Sequence, residues 1–284
     1  MNTRISKPET IKQSSRPFSS IQDSCNSVNQ SDVITIFGLR LSKVTLPQAA
    51  DSIVQAAKTR RRGFVVTPNV NMLTLLPFEP DLAGLCNQAL YQLVDGWPIV
   101  WASRRLHQQG LPERVAGSDV FPLICERAEQ QGLTLALMGA APGIADEAVR
   151  RLKVAYPNLK IVGTYCPPME TQFSEQSNAD MVVFCNRTRP DILLIGMGIP
   201  KQERWISANI DKLDIGVALC FGGVIDFTAG RIMRSPPWVV KIGMEWFWRL
   251  LMSPKQYWRR TLLRFPLFFP MFFKEWIGNR AGKL

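Results

Sequence analysis

The stretch LYQLVDGWPIVW, residues 90 to 101, puts an acid where a short strand should end. Leu93 and Val94 read as the last apolar positions of a buried strand, Asp95-Gly96 turns the chain, and Pro98 opens a helix. Asp95 therefore has two readings. Asp-Gly is a common turn dipeptide, held by local hydrogen bonds and by the freedom of glycine at positive φ. Open α/β sheets, however, bind ligands at the carboxyl ends of their strands, where a carboxylate can act as a general base. Two other strand ends carry glycine. LTLALMGAAPG runs from strand through Gly139 to a helix with Pro142 near its first turn, which leaves backbone N–H groups open to an anion. In DILLIGMGIPKQE, Gly196 and Gly198 permit close backbone approach, and the amide of Gln202 can donate and accept at once. Neither stretch is a complete G-x-G-x-x-G fingerprint or a P-loop. Several such ends on one sheet favour a phosphate-bearing ligand over bare packing.

Other chemistries lack material. The single histidine, His107, lies in the basic SRRLHQQG and reads as structural or solvent-facing, so a Ser-His-Asp or Cys-His mechanism has almost no material. No Asp-x-Asp occurs to hold a divalent ion on a sugar nucleotide, so a diphosphate would have to be met by Arg, Lys and helix ends. The six cysteines are scattered without a C-x-x-C pair and read as buried thiols of a reducing cytosol.

The elements that must position these residues follow from periodicity. Residues 1–30 are rich in Ser, Gln and Asn and are expected as a disordered tail. From VITIF onward, short apolar runs (GFVVTP, YQLVDG, LTLALMGA, LKIVGTY, DILLIGMG, GVALCFGG) alternate with amphipathic segments. That pattern predicts a Rossmann-like α/β domain over residues 31–230, a parallel sheet with helices on both faces. Residues 231–284 form a different kind of segment, with eleven Lys and Arg against two Glu, and twelve aromatic rings. Lys241, Glu245 and Arg249 recur every four residues, one narrow polar stripe on an otherwise apolar helix. RFPLFFPMFFKEWIG is intensely apolar yet too short, and too broken by Pro266 and Pro270, to cross a bilayer. A basic, aromatic helical appendage suits a membrane surface, with Phe268, Phe269, Phe272 and Phe273 as its lipid contacts, rather than nucleic acid. Packing on the core or on another subunit is the structural alternative. With no secretory signal and no apolar run of spanning length, the chain is expected in the cytoplasm, peripheral on the inner face of the membrane.

Eight stretches, in order, carry a family resemblance: TPNVNM, DGWPIVW, ERVAGSD, MGAAPG, YPNLKIVGT, IGMGIPKQE, FGGVIDFTAG and RSPPWVVKIGMEWFWRLL. Between about residue 33 and residue 265 the chain resembles the WecG/TagA/CpsF bacterial glycosyltransferases. The resemblance implies inverting, metal-independent and cofactor-free transfer of a hexose or N-acetylhexosamine. The donor is a UDP-sugar and the acceptor an undecaprenyl-diphosphate-linked sugar, in exopolysaccharide or envelope polysaccharide synthesis. It assigns Asp95 as the base, Thr67, Asn69 and Gln202 to the sugar pocket, Asp226 to the nucleotide base, and Arg249 and Arg259 to the diphosphates. The plainer roles are loop formation for Thr67 and Asn69, helix capping for Gln202 and a turn cap for Asp226. Two departures stand out: Ser253-Pro254-Lys255-Gln256 replaces the family's Glu-Pro-x-Arg, and CPPME follows VGTY where a histidine- and glycine-containing turn is usual. The rivals are a Rossmann-type oxidoreductase, which lacks the glycine fingerprint and the spaced ribose-binding acid, and a non-catalytic membrane adaptor, in which Asp95 would be dispensable.

Overall fold

The computed structural model describes residues 32–233, 235, 236, 239, 245–252, 258 and 264–281. The tail at 1–30, Lys255, Gln256 and Arg259 lie outside the described residues.

The chain begins with an antiparallel hairpin, β1 (Val33–Ile36) and β2 (Leu39–Ser42), joined through Phe37 and Gly38 at φ 56° and 77°. Two consecutive positive φ values suit the twist of a two-residue hairpin, and Gly38 adopts one without steric cost. The sequence reading set VITIF among the strands of the parallel sheet. It pairs instead with LRLS, a strand that reading missed, in which Leu39 and Leu41 are buried and Arg40 is exposed.

The parallel sheet has six strands: β3 (Gly63–Val66), β4 (Tyr91–Gln92), β5 (Thr134–Gly139), β6 (Lys160–Tyr165), β7 (Ile192–Gly196) and β8 (Val217–Cys220). Their order is β4-β3-β8-β7-β5-β6, and every neighbouring pair is parallel. Between and after them run α1 (Leu46–Lys58), α2 (Val70–Leu73), α3 (Leu82–Cys86), α4 (Trp97–Leu106), α5 (Gly117–Gln131), α6 (Ile144–Ala155), α7 (Glu175–Thr188), α8 (Lys201–Asn209) and α9 (Val224–Thr228). The continuous apolar strands have a simple cause, since successive side chains point to opposite faces and both faces are covered. Phe64, Val66, Leu193, Ile195 and Ala218 enter one core with the hairpin, α4 and α8, whereas Val65, Ile192, Leu194, Val217 and Leu219 enter the other with α1, α5 and α6. At the amino ends, Arg60 joins Asp191 and Asp214 at 3.0 and 2.8 Å, and Asp191 accepts from both N and Oγ1 of Thr134. These bonds help to hold the β5 and β7 register on which the opposite edge depends.

Two helices of the C-terminal segment are described, α10 (Glu245–Met252) and α11 (Phe268–Ala281). Phe268, 2% exposed, meets Phe37 edge to face at 5.9 Å between centroids, and Phe272, 8% exposed, lies 4.8 Å from Trp101 of α4. Both rings belong to the hairpin-side core. This corrects the expectation that all four phenylalanines face lipid. One turn of helix separates Phe268 from Phe272, so the pair shares the inward face, and Phe269, Phe273 and Ile277 share the outward one at 49%, 55% and 61% exposure. Replacing Phe268 by Ser is expected to destabilise the protein by about 3 to 5 kcal/mol, and Phe273 by Ser by no more than about 0.5 kcal/mol. Urea midpoints of the two variants measure the difference, and equal midpoints would contradict this packing.

Candidate active site

The candidate residues gather at the carboxyl end of the sheet. The chain leaves β3 for β4 at one edge and β5 for β6 at the other, then returns through β7 and β8. The outgoing connections of the neighbours β5 and β7 therefore diverge, and such a switch point opens a crevice beyond the strands. Its floor is glycine. Gly139 and Gly196 are register partners, Gly139 has φ +123°, and a Cβ there would collide with the carbonyl oxygen of Gly196. The Ala140 N–H donates to that same oxygen at 2.9 Å, and Gly143 at φ 79° turns the chain into α6, whose first N–H groups lack intrahelical acceptors. An anion is favoured there by the amide donors and the helix dipole together.

Beside the crevice, one carbonyl gathers two sequence-predicted residues. Cys220 O, at the end of β8, accepts from Gln202 Nε2 at 3.0 Å and from Thr67 Oγ1 at 3.5 Å. Gln202 Nε2 also donates to Glu203 Oε1 at 2.9 Å. Gln202 is thus a buried side chain of the first turn of α8, in place of the helix cap that local reading offered, and its Oε1 has no partner among the described residues. Glu203 was not singled out by sequence reading, because an acid in the first turn of a helix ordinarily reads as a partner of the helix dipole. It is 0% exposed, and burial pushes its carboxyl up to about 7.

Asp95 follows the end of β4, and its N–H donates to Pro68 O at 2.8 Å, tying it to the loop that holds Thr67 and Asn69. Its Oδ1 accepts from Arg114 Nη1 at 3.0 Å, while Arg114 Nη2 binds Asp119. Arg114 is nearly buried, and a guanidinium shared by two carboxylates fixes both by charge-assisted bonds. The N–H of Val115 donates to Val94 O, so the strand end itself brings this arginine to Asp95. Arg114 and Asp119 stand in the quoted ERVAGSD but carried no role, since nothing in their spacing reveals a pairing across nineteen positions with Asp95.

The remaining candidates are more dispersed. Asn69 caps α2, its Oδ1 accepting from Met72 N at 3.1 Å, which is the loop-forming role. Asn71, within α2, accepts from Arg264 Nη1 at 3.4 Å and so meets the C-terminal segment. Asp226 is on α9, where its Oδ1 accepts from Arg231 at 3.4 Å. The backbone of Arg249 lies in α10. The segment after β6 docks on α8, with Lys201 Nζ donating to Glu170 O at 2.6 Å and lying 4.3 Å over the Phe173 ring.

The Glu203 carboxyl gives the site a pH signature. Its usual value of 4.5 applies to the unfolded chain, and the folded chain keeps the proton up to about 7. The stability tied to that proton is therefore complete below pH 4.5 and is lost as pH rises through 7, on the order of 3 kcal/mol in all. Glu203→Gln, neutral throughout, is expected to narrow the difference in urea stability between pH 5 and pH 8 by that order. An unchanged difference would assign the titration elsewhere.

With this geometry in view, the comparisons with known proteins become specific. An N-acetylglucosaminyldiphosphoundecaprenol N-acetyl-beta-D-mannosaminyltransferase of Staphylococcus aureus (strain MW2) is 27% identical over 225 residues, which cover 78% of this chain and 86% of that relative. The enzyme of the same description from Bacillus subtilis (strain 168) is 28% identical over 187 residues, covering 65% of this chain and 69% of the relative. Residues 34–282 match the family described as Glycosyl transferase WecG/TagA/CpsF, a span that takes in both sheets, the glycine crevice, the Asp95 and Gln202 clusters and α11. The protein belongs to the WecG/TagA/CpsF family of glycosyltransferases.

Proposed function

We propose that the protein transfers a hexose or N-acetylhexosamine from a UDP donor to a sugar carried on undecaprenyl diphosphate, with inversion and without a metal ion, in exopolysaccharide or envelope polysaccharide assembly. The observation that carries this reading is the single Asp95 carboxylate, held by Arg114 beside the Thr67 and Asn69 loop. The relatives, whose printed activity is transfer of N-acetylmannosamine to a lipid-linked N-acetylglucosamine, support it.

In this reading Asp95 takes the proton of the acceptor hydroxyl as its oxygen bonds to the anomeric carbon. The bond from that carbon to UDP breaks on the opposite face, which inverts the centre. UDP leaves with the bonding electrons, its diphosphate facing the first-turn N–H groups of α6 beyond Gly143. Thr67, Asn69 and Gln202 line the sugar pocket, and Asp226 meets the nucleotide base. Arg249 and Arg259, joined by Arg264 above Asn71, supply positive charge to the diphosphates. In this scheme arginine and backbone amides, in place of a metal ion, meet the charge of the diphosphates.

Residues 31–230 carry the chemistry in this scheme, preceded by the tail at 1–30, and residues 231–284 meet the membrane at its cytoplasmic side. No helix among the described residues is long and apolar enough to cross a bilayer. The outward stripe of Phe269, Phe273 and Ile277, with exposed Lys274 beside it, suits shallow insertion among anionic headgroups.

Asp95→Asn is expected to lower turnover by about 10² to 10⁴ with UDP affinity nearly unchanged, and EDTA to leave the wild-type rate intact. A panel of UDP-sugars with a short-chain diphosphate-linked acceptor provides the assay. Turnover within threefold of wild type would remove Asp95 as the base, and activity lost to EDTA and restored by magnesium would refute the metal-free scheme. Replacing Phe269, Phe273 and Ile277 together by Ser is expected to release the protein from anionic liposomes while sparing transfer to the soluble acceptor. Undiminished sedimentation with liposomes would move the membrane contact elsewhere.

A further inference from the structure

Glu203 is a buried acid that the transfer scheme does not use. Its Oε1 accepts from Gln202 Nε2, and its Oε2 has no partner among the described residues. The groups facing it are Cys86 of α3 and Cys220 of β8, thiols that burial keeps protonated, so neither brings a counter-charge. An isolated acid in such surroundings costs folding free energy and calls for another explanation.

The hydrogen bonds to Gln202 supply one. A side-chain amide can be turned over, exchanging its donor and acceptor ends, and only its neighbours decide which end points where. Here Nε2 sits between two acceptors, Cys220 O at 3.0 Å and Glu203 Oε1 at 2.9 Å. The turned amide would set its oxygen against Cys220 O, and against Glu203 Oε1 whenever that oxygen bears no proton. Cys220 O is also shared with Thr67, so the carbonyl alone holds the amide less firmly than the carbonyl and carboxyl together. With both Nε2 hydrogens engaged, Oε1 is left as an acceptor without a partner in a buried position.

We propose that Glu203 is a positioning residue for Gln202, fixing the amide so that Oε1 accepts a hydrogen bond from a hydroxyl or amide N–H of the bound sugar nucleotide. This rests on the sugar-transfer reading for the identity of the ligand, but the orientation of the amide does not. Glu203 itself touches no ligand. A buried acceptor left unpaired is costly, so a sugar carrying a donor at that point is preferred over one that lacks it by about tenfold or more.

Two measurements on the full-length protein test the proposal and separate it from the sugar-transfer reading. The side-chain amide resonances of Gln202, identified by their absence in Gln202→Ala, are expected to shift between pH 5.5 and 8.5 with a midpoint near 7. In Glu203→Gln they are expected not to titrate. Resonances that ignore pH in the wild type, or that titrate equally in Glu203→Gln, overturn the proposal whether or not any sugar is transferred. In the transferase assay, Glu203→Leu and Gln202→Ala are each expected to raise the donor KM by about tenfold, and the double variant no further than Gln202→Ala alone. Glu203→Gln, which keeps the acceptor oxygen, is expected within threefold of wild type at pH 7. Multiplying effects in the double variant overturn the coupling. A Glu203→Leu protein that does not fold leaves the decision to the resonances of Glu203→Gln. Wild-type protein that transfers no UDP-sugar refutes the sugar-transfer reading while the amide titration still decides whether Glu203 positions Gln202.

Discussion

Much of the functional edge hangs on the carbonyl oxygen of Cys220. It ends a central strand and accepts from Gln202 on α8 and Thr67 after β3, so three separate segments are tied at one atom. The ladder makes this possible. The β3 and β7 pairings bring Val66 and Ile195 alongside Cys220, and the side chains just beyond those strands can converge only because all three strands end level. A slip of one residue would turn every strand side chain to the other face and scatter these groups. Register, and with it the alternating apolar filling of the two cores, is therefore a condition for the site as well as for stability.

Electrostatics divides the site into two regions of different character. Around Asp95, charge is matched: a nearly buried guanidinium lies between two half-buried carboxylates, an arrangement that orients an ionised group and keeps it partly wet. Around Glu203, charge is unmatched, and burial drives the carboxyl toward its neutral form. Two acids on the same edge of the sheet thus differ through their surroundings alone, one paired with a guanidinium and the other buried against an amide.

The helix α11 shows one element meeting two solvents. Phe268 and Phe272 close the core beneath Phe37 and Trp101, while Phe269, Phe273 and Ile277 remain uncovered on the opposite face. A helix apolar all round normally lies buried. Here half of that condition is met by the protein, and Arg264 at its approach reaches Asn71 of α2, just after β3. The approach to the helix that carries the outer face is therefore tied to the segment that follows β3.

Local pattern by itself determined the alternation of apolar strands and amphipathic helices, the parallel sheet, the glycine-rich strand ends and the place of Asp95, because period-2 filling, glycine and helix-opening proline are short-range signals. The ordered motifs added the family. Pairings over long separations were decided only by the tertiary structure: Arg114 with Asp95, Gln202 with Cys220, Arg264 with Asn71, and VITIF with LRLS in a hairpin of their own. Phe268 and Phe269 look alike in a run of phenylalanines, and the packing of α11 alone makes one a core residue and the other a surface residue. Glu203 was hidden for the same reason. An acid in the first turn of a helix is ordinary on a solvated face, and it becomes a constraint on the site only when the sheet and α3 close over it and leave Gln202 as its hydrogen-bonded neighbour.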